Sequence, residues 1–287
     1  MPLRKNRTPD LTGTWMTQSE SAIYRNLPKC GCTTIGQILY YTDHGHFYNG
    51  NVHRTSTGIH RWSTADRRTR AQIQRKVKEQ NIFTFSCVRN PYTRVLSCFF
   101  DKICNVQNNG EYHLNHLLQL PMQKYGIDLQ AAEDASELDQ IKLFHRFLLF
   151  ARDTVHWQKP MSADPHWQPM YRLLASIIVN GGRYNSVSHI ETFHADMPLI
   201  LDSISPSNPI QLNKIPQFNS ASDKKIMQKY PVADYFDDLS MHLMHEMYHQ
   251  DFDLFKYDFD TPGNSQPTGP IDLDEIQSRL NRDEYRT

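Results

Sequence analysis

No stretch of 18 consecutive apolar residues occurs anywhere in these 287 residues, so the sequence contains no segment with the length of a membrane-spanning helix. The first twenty residues, Met1 to Glu20, lack the apolar centre of a secretory leader and are polar and basic instead. Neither sign of charge is in excess, with 31 Lys+Arg against 31 Asp+Glu. The global positive field of a nucleic-acid-binding protein is therefore missing, and no nucleic-acid partner is expected. Cysteine is scarce and odd in number: Cys30, Cys32, Cys87, Cys98 and Cys104 fall within predicted core elements, away from the regular spacing of a small disulfide scaffold. Cys30 and Cys32 form half of a metal site at most, since no second cysteine pair follows, and no metal is expected. A reducing, cytoplasmic setting is the expectation, and no internal repeat is present.

The 39% of apolar residues is enough to bury a substantial core, as one large α/β domain or two small ones. Residues 1–19 read as a flexible arm, 20–260 as the folded domain, and 261–287 as a Pro/Gly/Ser linker followed by a short helix carrying Ile271, Leu273, Ile276 and Leu280. Ser21 to Leu27 has strand length and ends at Pro28, and Thr33 to Tyr41 has helical spacing. Arg67 to Gln80 is a basic helix whose charges spread around its surface. Ile82 to Val88 is an apolar run that suits a strand buried on both faces, after which Asn90 and Pro91 form an N-cap and first-turn pair opening another helix. Further helices are predicted at Ser136 to Arg152 and Ala233 to Gln250, with a strand near Tyr184 to Ile190 between them. The fold class that follows is α/β: a P-loop-like, three-layer arrangement with a central parallel β-sheet flanked by helices. Ligands of such sheets bind beyond the carboxyl ends of the strands.

Two segments are suited to anions. Pro28-Lys29-Cys30-Gly31-Cys32-Thr33-Thr34 joins a lysine, a glycine and two hydroxyls to a helix N-terminus, where backbone N–H groups point outward. No G-x-x-x-x-G-K-[ST] is present, and read alone the segment is also compatible with a tight turn bearing a surface lysine. Arg89 closes the apolar strand, and helical stepping puts Arg94, Ser97 and Asp101 on one face of the helix after it. An arginine fork and a serine hydroxyl can grip a phosphate, or can belong to a structural ion network.

Together these segments resemble the sulfotransferases, and more closely the carbohydrate sulfotransferases of the chondroitin, dermatan and HNK-1 type and their bacterial relatives. Lys29 to Thr34 is similar to the family's 5′-phosphosulfate loop, and Cys87-Val88-Arg89-Asn90-Pro91-Tyr92-Thr93-Arg94-Val95-Leu96-Ser97 to its 3′-phosphate segment. Asp164-Pro165-His166-Trp167-Gln168-Pro169 resembles D-x-H-W-x-P, Tyr184 to Phe193 the strand ending in a glutamate, here Glu191, and Asp251-Phe252-Asp253-Leu254-Phe255-x-Tyr257 the C-terminal signature. Leu174 and Ile177 stand where Golgi members carry a cysteine pair.

The resemblance implies transfer of a sulfuryl group from 3′-phosphoadenosine 5′-phosphosulfate (PAPS) to a hydroxyl of a carbohydrate. Lys29, Cys30, Gly31, Cys32, Thr33 and Thr34 would hold the 5′-phosphosulfate, and Arg89 and Ser97 the 3′-phosphate. Lys29 would also neutralise the leaving oxygen. The acceptor hydroxyl needs a general base, for which histidine, with its ordinary pKa of about 6.5, is suited. His53 resembles the histidine the family carries between its two PAPS motifs, and ranks ahead of His166 and His60. The alternative for His166 is a packed ring that orients its loop, and for His53 a surface position. A P-loop-type nucleotide kinase and a non-catalytic nucleotide-binding module are the competing functions. His242, His245, Glu246 and His249 do not form H-E-x-x-H and read as a solvated helix face. His44-Gly45-His46 reads as a mobile loop, and Tyr48, Trp62, Trp157 and Trp167 are candidates for stacking on a sugar.

Overall fold

The computed structural model describes residues 11–53, 59–104, 121–128, 139–156, 164–204, 206–215 and 227–281. In chain order the strands are β1 (Thr14–Met16), β2 (Ala22–Arg25), β3 (His60–Arg61), β4 (Phe83–Val88) and β5 (Ser186–His189). The helices are α1 (Cys32–His44), α2 (Arg67–Glu79), α3 (Pro91–Phe99), α4 (Gln140–His156), α5 (Met170–Val179), α6 (Phe193–Ile204), α7 (Asp238–Leu254) and α8 (Leu273–Leu280). Two compact units arise, the first drawn from Met1–Arg89, Met170–Phe218 and Pro270–Thr287 and the second from Asn90–Pro169 and Asn219–Gly269.

The first unit holds the whole sheet, in the order β3-β1-β2-β4-β5. β2, β4 and β5 are parallel, as two strand-loop-helix units require, with Tyr24 opposite Phe85 and Val88 opposite His189. β1 and β3 add an antiparallel edge, Trp15 standing opposite Tyr24 on one side and Arg61 on the other. The sheet is thus mixed, where a parallel one was expected. Residues 11–19 also depart from the expected arm: Thr14–Met16 is a fully buried strand. Its polar flanks disguise it in sequence, and its stability comes from pairing with β2.

One face of this sheet is covered by a core of Trp15, Tyr24, Ile35, Ile38, Leu39, Phe85, Met197 and Ile200, which unites β1, β2, β4, α1 and α6. Gly36 sits inside α1, where glycine costs about 1 kcal/mol relative to alanine. A Cβ there would lie 2.7 Å from Trp15 Cζ3 and 3.2 Å from Val52 Cγ1, so the missing side chain lets α1 approach both. At the C-terminal end α8 buries Ile276 and Leu280 and packs against α5.

The second unit is helical. Asn90 caps α3 by accepting from the N–H groups of Tyr92 and Thr93, with Pro91 in the first turn, as the sequence predicts. Phe99 of α3 meets Phe144 of α4 edge-on at 5.2 Å, and Phe144 meets Tyr235 at 5.7 Å. The segment after Asp260, read as a linker, is tied down instead: Thr268 N–H donates to Lys256 O at 2.7 Å, and the Asn90 side-chain amide donates to Asn264 O at 3.3 Å.

Candidate active site

β2 ends at Arg25, and the chain turns sharply through Pro28 to Gly31 before α1 begins. Lys29 has φ 68° and Gly31 φ 76°. A left-handed conformation costs an L-residue such as lysine roughly 1–2 kcal/mol, so the turn stores strain at Lys29 and depends on glycine at 31. Space imposes the same requirement, because a Cβ on Gly31 would lie 2.5 Å from Ile190 Cδ1, in the turn that follows β5. Gly31 is also the N-cap of α1, and no side-chain hydrogen bond caps this helix start. The positive end of the helix dipole is therefore presented by a residue with no side chain of its own, a geometry that accepts an anion at close range.

Cys30 is buried in the turn, its Sγ 3.7 Å from Met170 Sδ. Burial pushes the Cys32 thiol up, against the opposing pull of Lys29 and of backbone N–H groups at the helix start. All five cysteines are free thiols.

Arg89 follows the last residue of β4, the parallel neighbour of β2. Its Nη1 donates to the carbonyl oxygen of Lys29 at 3.2 Å. The two residues singled out for opposite ends of one nucleotide thus meet at the carboxyl edge of the parallel strands. The turn Ile190–Thr192 after β5 completes the same edge.

His53 reaches the loop from a different direction. Its Nε2 is 3.0 Å from Thr33 Oγ1 and 3.9 Å from Cys32 Sγ, and its ring stands edge-on to Trp15 at 5.4 Å. Its backbone N–H donates to Asn51 Oδ1 at 2.9 Å, which fixes the approach of the segment. His60 is placed elsewhere: it pairs with Met16 on the edge strand β3, about 10 Å from β2 at the usual strand spacing.

Ser97 and His166 belong to the second unit. Ser97 is half-buried on α3. His166 is tied to its own loop: its Nδ1 lies 2.5 Å from Asp164 Oδ1 and its backbone N–H donates to the same oxygen at 2.9 Å. Burial pushes the Asp164 carboxyl up, yet the hydrogen bonds and charge of His166 outweigh it and hold the group below its ordinary value. The carboxylate thus engages the Nδ1 side of the ring.

Arg94 is the residue whose role the sequence concealed. Its spacing puts it on the Ser97 face of α3, but it is buried and donates to Gln168 O at 2.9 Å and Pro165 O at 3.0 Å. It therefore clamps both sides of the loop that carries His166. Tyr248 supplies a third tie, its hydroxyl donating to Trp167 O at 2.5 Å.

Trp167 is fully buried, its Nε1 donating to Thr154 Oγ1 at 2.9 Å, and is core, not a sugar platform; Trp157 lies outside the described residues. Trp62 faces Arg70 at 5.9 Å. On α7, His245 and His249 stack on each other at 5.4 Å, while His242 is 3.5 Å from Glu246. Among the described residues no three His, Cys, Asp or Glu side chains gather as a metal ion would require, and no helix is long and apolar enough to cross a membrane.

A strained lysine turn at a glycine-capped helix, an arginine closing the adjacent parallel strand and a histidine against the helix's first turn come together at the carboxyl edge of an α/β sheet. The profile of the sulfotransferase family matches residues 12–258, and the chain belongs to that family. It is similar to carbohydrate sulfotransferase 12 of Mus musculus, with 24% identity in an alignment over 254 residues that covers 82% of this chain and 57% of the relative. The chain thus spans a little over half the length of that protein. No solved structure matches it.

Proposed function

We propose that this protein transfers a sulfuryl group from PAPS to a hydroxyl of a carbohydrate by in-line displacement. The observation that carries the reading is the convergence of Lys29, the uncapped start of α1 and Arg89 at one carboxyl edge, with Arg89 Nη1 3.2 Å from Lys29 O. The helix start, which no side chain caps, fits a phosphate oxygen at close range. PAPS, when bound, supplies an activated sulfuryl group on its 5′-phosphate.

Each residue then has a task set by where charge develops. Lys29 neutralises the oxygen that remains on the 5′-phosphate as the sulfur–oxygen bond breaks, and the N–H groups of the first turn of α1, with the Thr33 and Thr34 hydroxyls, hold the phosphate oxygens. Arg89 takes the 3′-phosphate, and Ser97 shares that role through its place in the same motif. His53 removes the acceptor proton as the new oxygen–sulfur bond forms. With the ring proton on Nδ1, Nε2 carries the lone pair that a base needs, and it is released to the acceptor hydroxyl when the Thr33 hydroxyl turns from Nε2 to a phosphate oxygen. His166, held by Asp164, is the second candidate for that task.

A name that relates one relative to carbohydrate supports the acceptor class. Five free thiols, together with buried Leu174 and Ile177 where Golgi members pair cysteines, support a reducing compartment, and we place the protein's work in the cytoplasm on that basis. The deciding experiment is a thermal-shift comparison of adenosine 3′,5′-bisphosphate (PAP) with ATP and Mg²⁺, followed by turnover with labelled PAPS. Stabilisation by PAP and label transfer to a glycan are expected. A response to ATP and Mg²⁺ alone identifies a phosphotransferase, and PAP binding without transfer identifies a binding module.

A further inference from the structure

The face of α1 that begins at Thr33 continues through Gly36, Gln37 and Tyr40 to His44, the i, i+3, i+4, i+7 pattern of one helical stripe. The segment from His46 to His53 returns along this stripe in the opposite direction. Tyr40 meets Tyr48 at 5.2 Å, Gln37 bonds Tyr48, Gly36 makes room for Val52, and Thr33 meets His53. The helix and the returning segment therefore form one continuous strip that starts at the candidate base.

At its far end the strip carries a cluster of rings. Tyr40 lies 4.1 Å from His44, 5.5 Å from His46 and 5.2 Å from Tyr48 between ring centroids. His44 and His46 are exposed, and the two tyrosines are half-buried. The cluster is held in place, which corrects the reading of His44-Gly45-His46 as a mobile loop. Gly45 caps α1 at φ 73°, its N–H donating to Tyr41 O at 2.8 Å, and Asn208 Nδ2 donates to Thr42 O at 3.1 Å. The buried Gln37 side chain accepts from Tyr48 N–H at 2.8 Å and donates to Tyr48 O at 3.1 Å. Exposed aromatic surface is normally scattered singly, so two exposed imidazoles gathered with two half-buried phenols and braced by buried or capping amides form an unusual mixed apolar and polar patch.

We infer that Tyr40, Tyr48, His44 and His46 form a subsite for a sugar ring of an oligosaccharide acceptor, flanking the sugar whose hydroxyl is presented to His53. Pyranose rings offer an apolar C–H face to aromatic rings and hydroxyls to the imidazole and phenol edges, which is the mixture assembled here. Tyr40 stands about 10 Å along the helix axis from Thr33, the reach of a short oligosaccharide and more than one sugar covers. The inference rests on the sulfotransferase reading and narrows its acceptor to a chain of sugars.

The test is an array of immobilised neutral and uronic-acid-containing oligosaccharides, probed with the PAP-loaded protein and with its Tyr48→Ala and Tyr40→Leu variants. Tyr48→Ala keeps the backbone bonds to Gln37, and Tyr40→Leu keeps an apolar side chain against the core. Wild-type protein is expected to retain at least one oligosaccharide, both variants to lose it at least 10-fold, and the PAP-induced thermal shift to be the same in all three. With labelled PAPS the KM for that oligosaccharide should rise at least 10-fold at unchanged kcat, while the KM for its single constituent sugar stays the same. Equal retention by wild type and variants overturns the subsite and leaves the sulfotransferase reading standing. A PAP shift with no oligosaccharide retained likewise overturns the subsite alone, whereas the absence of both overturns the two together.

Discussion

Replacing Gly31 by alanine puts a methyl group where Ile190 Cδ1 already lies, 2.5 Å from the new atom, on a backbone held at φ 76°. Two separate costs follow. The left-handed backbone penalises any L-residue by roughly 1–2 kcal/mol. The overlap adds a packing term of about 1–3 kcal/mol for an unyielding neighbour, reduced here because Cδ1 is the free end of a flexible side chain. A loss of about 2–3 kcal/mol is therefore expected, read as a fall in the urea midpoint at constant slope. Ile190→Val in the same chain removes Cδ1 and should recover the packing share while leaving the backbone share, a separation that a double-mutant cycle measures. PAP binding should weaken at least 10-fold in Gly31→Ala, and should stay weak in the double variant, because the altered turn aims the first N–H groups of α1 differently. A Gly31→Ala protein with wild-type midpoint and wild-type PAP affinity would refute the claim that this turn is both strained and the anion cradle.

Other outcomes test neighbouring parts. Lys29→Gly removes the charge assigned to the leaving oxygen while relieving φ 68°, so PAPS-dependent turnover should fall at least about 100-fold as stability holds or rises by up to about 1 kcal/mol. Arg94→Met leaves the carbonyls of Gln168 and Pro165 without their buried donor and should cost about 2–4 kcal/mol in chemical denaturation, with Arg94→Lys a poor substitute because an ammonium cannot span both. The Asp164 carboxyl is held below its ordinary value, so its contribution to stability is complete above the unfolded-state pKa of about 4 and is lost as pH falls through the depressed folded value. Asp164→Asn should accordingly flatten the acid limb of the stability profile below about pH 4, and an unchanged limb would dismiss the pair.

Local order was legible where local chemistry decides it. Asn90 and Pro91 announce a helix start because a side-chain acceptor and a fixed φ act within a single turn, and both act there. The apolar run from Phe83 to Val88 is buried almost throughout, which is why it needed no alternation to be read as a strand. The Asp164–His166 pair was also present in a quoted motif, though its carboxylate was not recognised as the partner of the ring.

The sequence by itself determined the strand-turn-helix units, the glycine at 31 and the arginine at the end of β4, because periodicity, capping and backbone permissiveness act over a few residues. It also restricted the candidate bases to a handful among 14 histidines. Only the tertiary structure separated their places: His53 was brought to Thr33 by a segment returning along α1, His60 to an edge strand, and His166 to Asp164. The same holds for β1, too short and too polar in its surroundings to be read until it pairs with β2, and for Arg94, whose spacing fits a ligand face but whose acceptors lie more than 70 positions away along the chain. Contacts between residues distant in sequence carry no local signature, so their chemistry appears only when folding has brought the partners together.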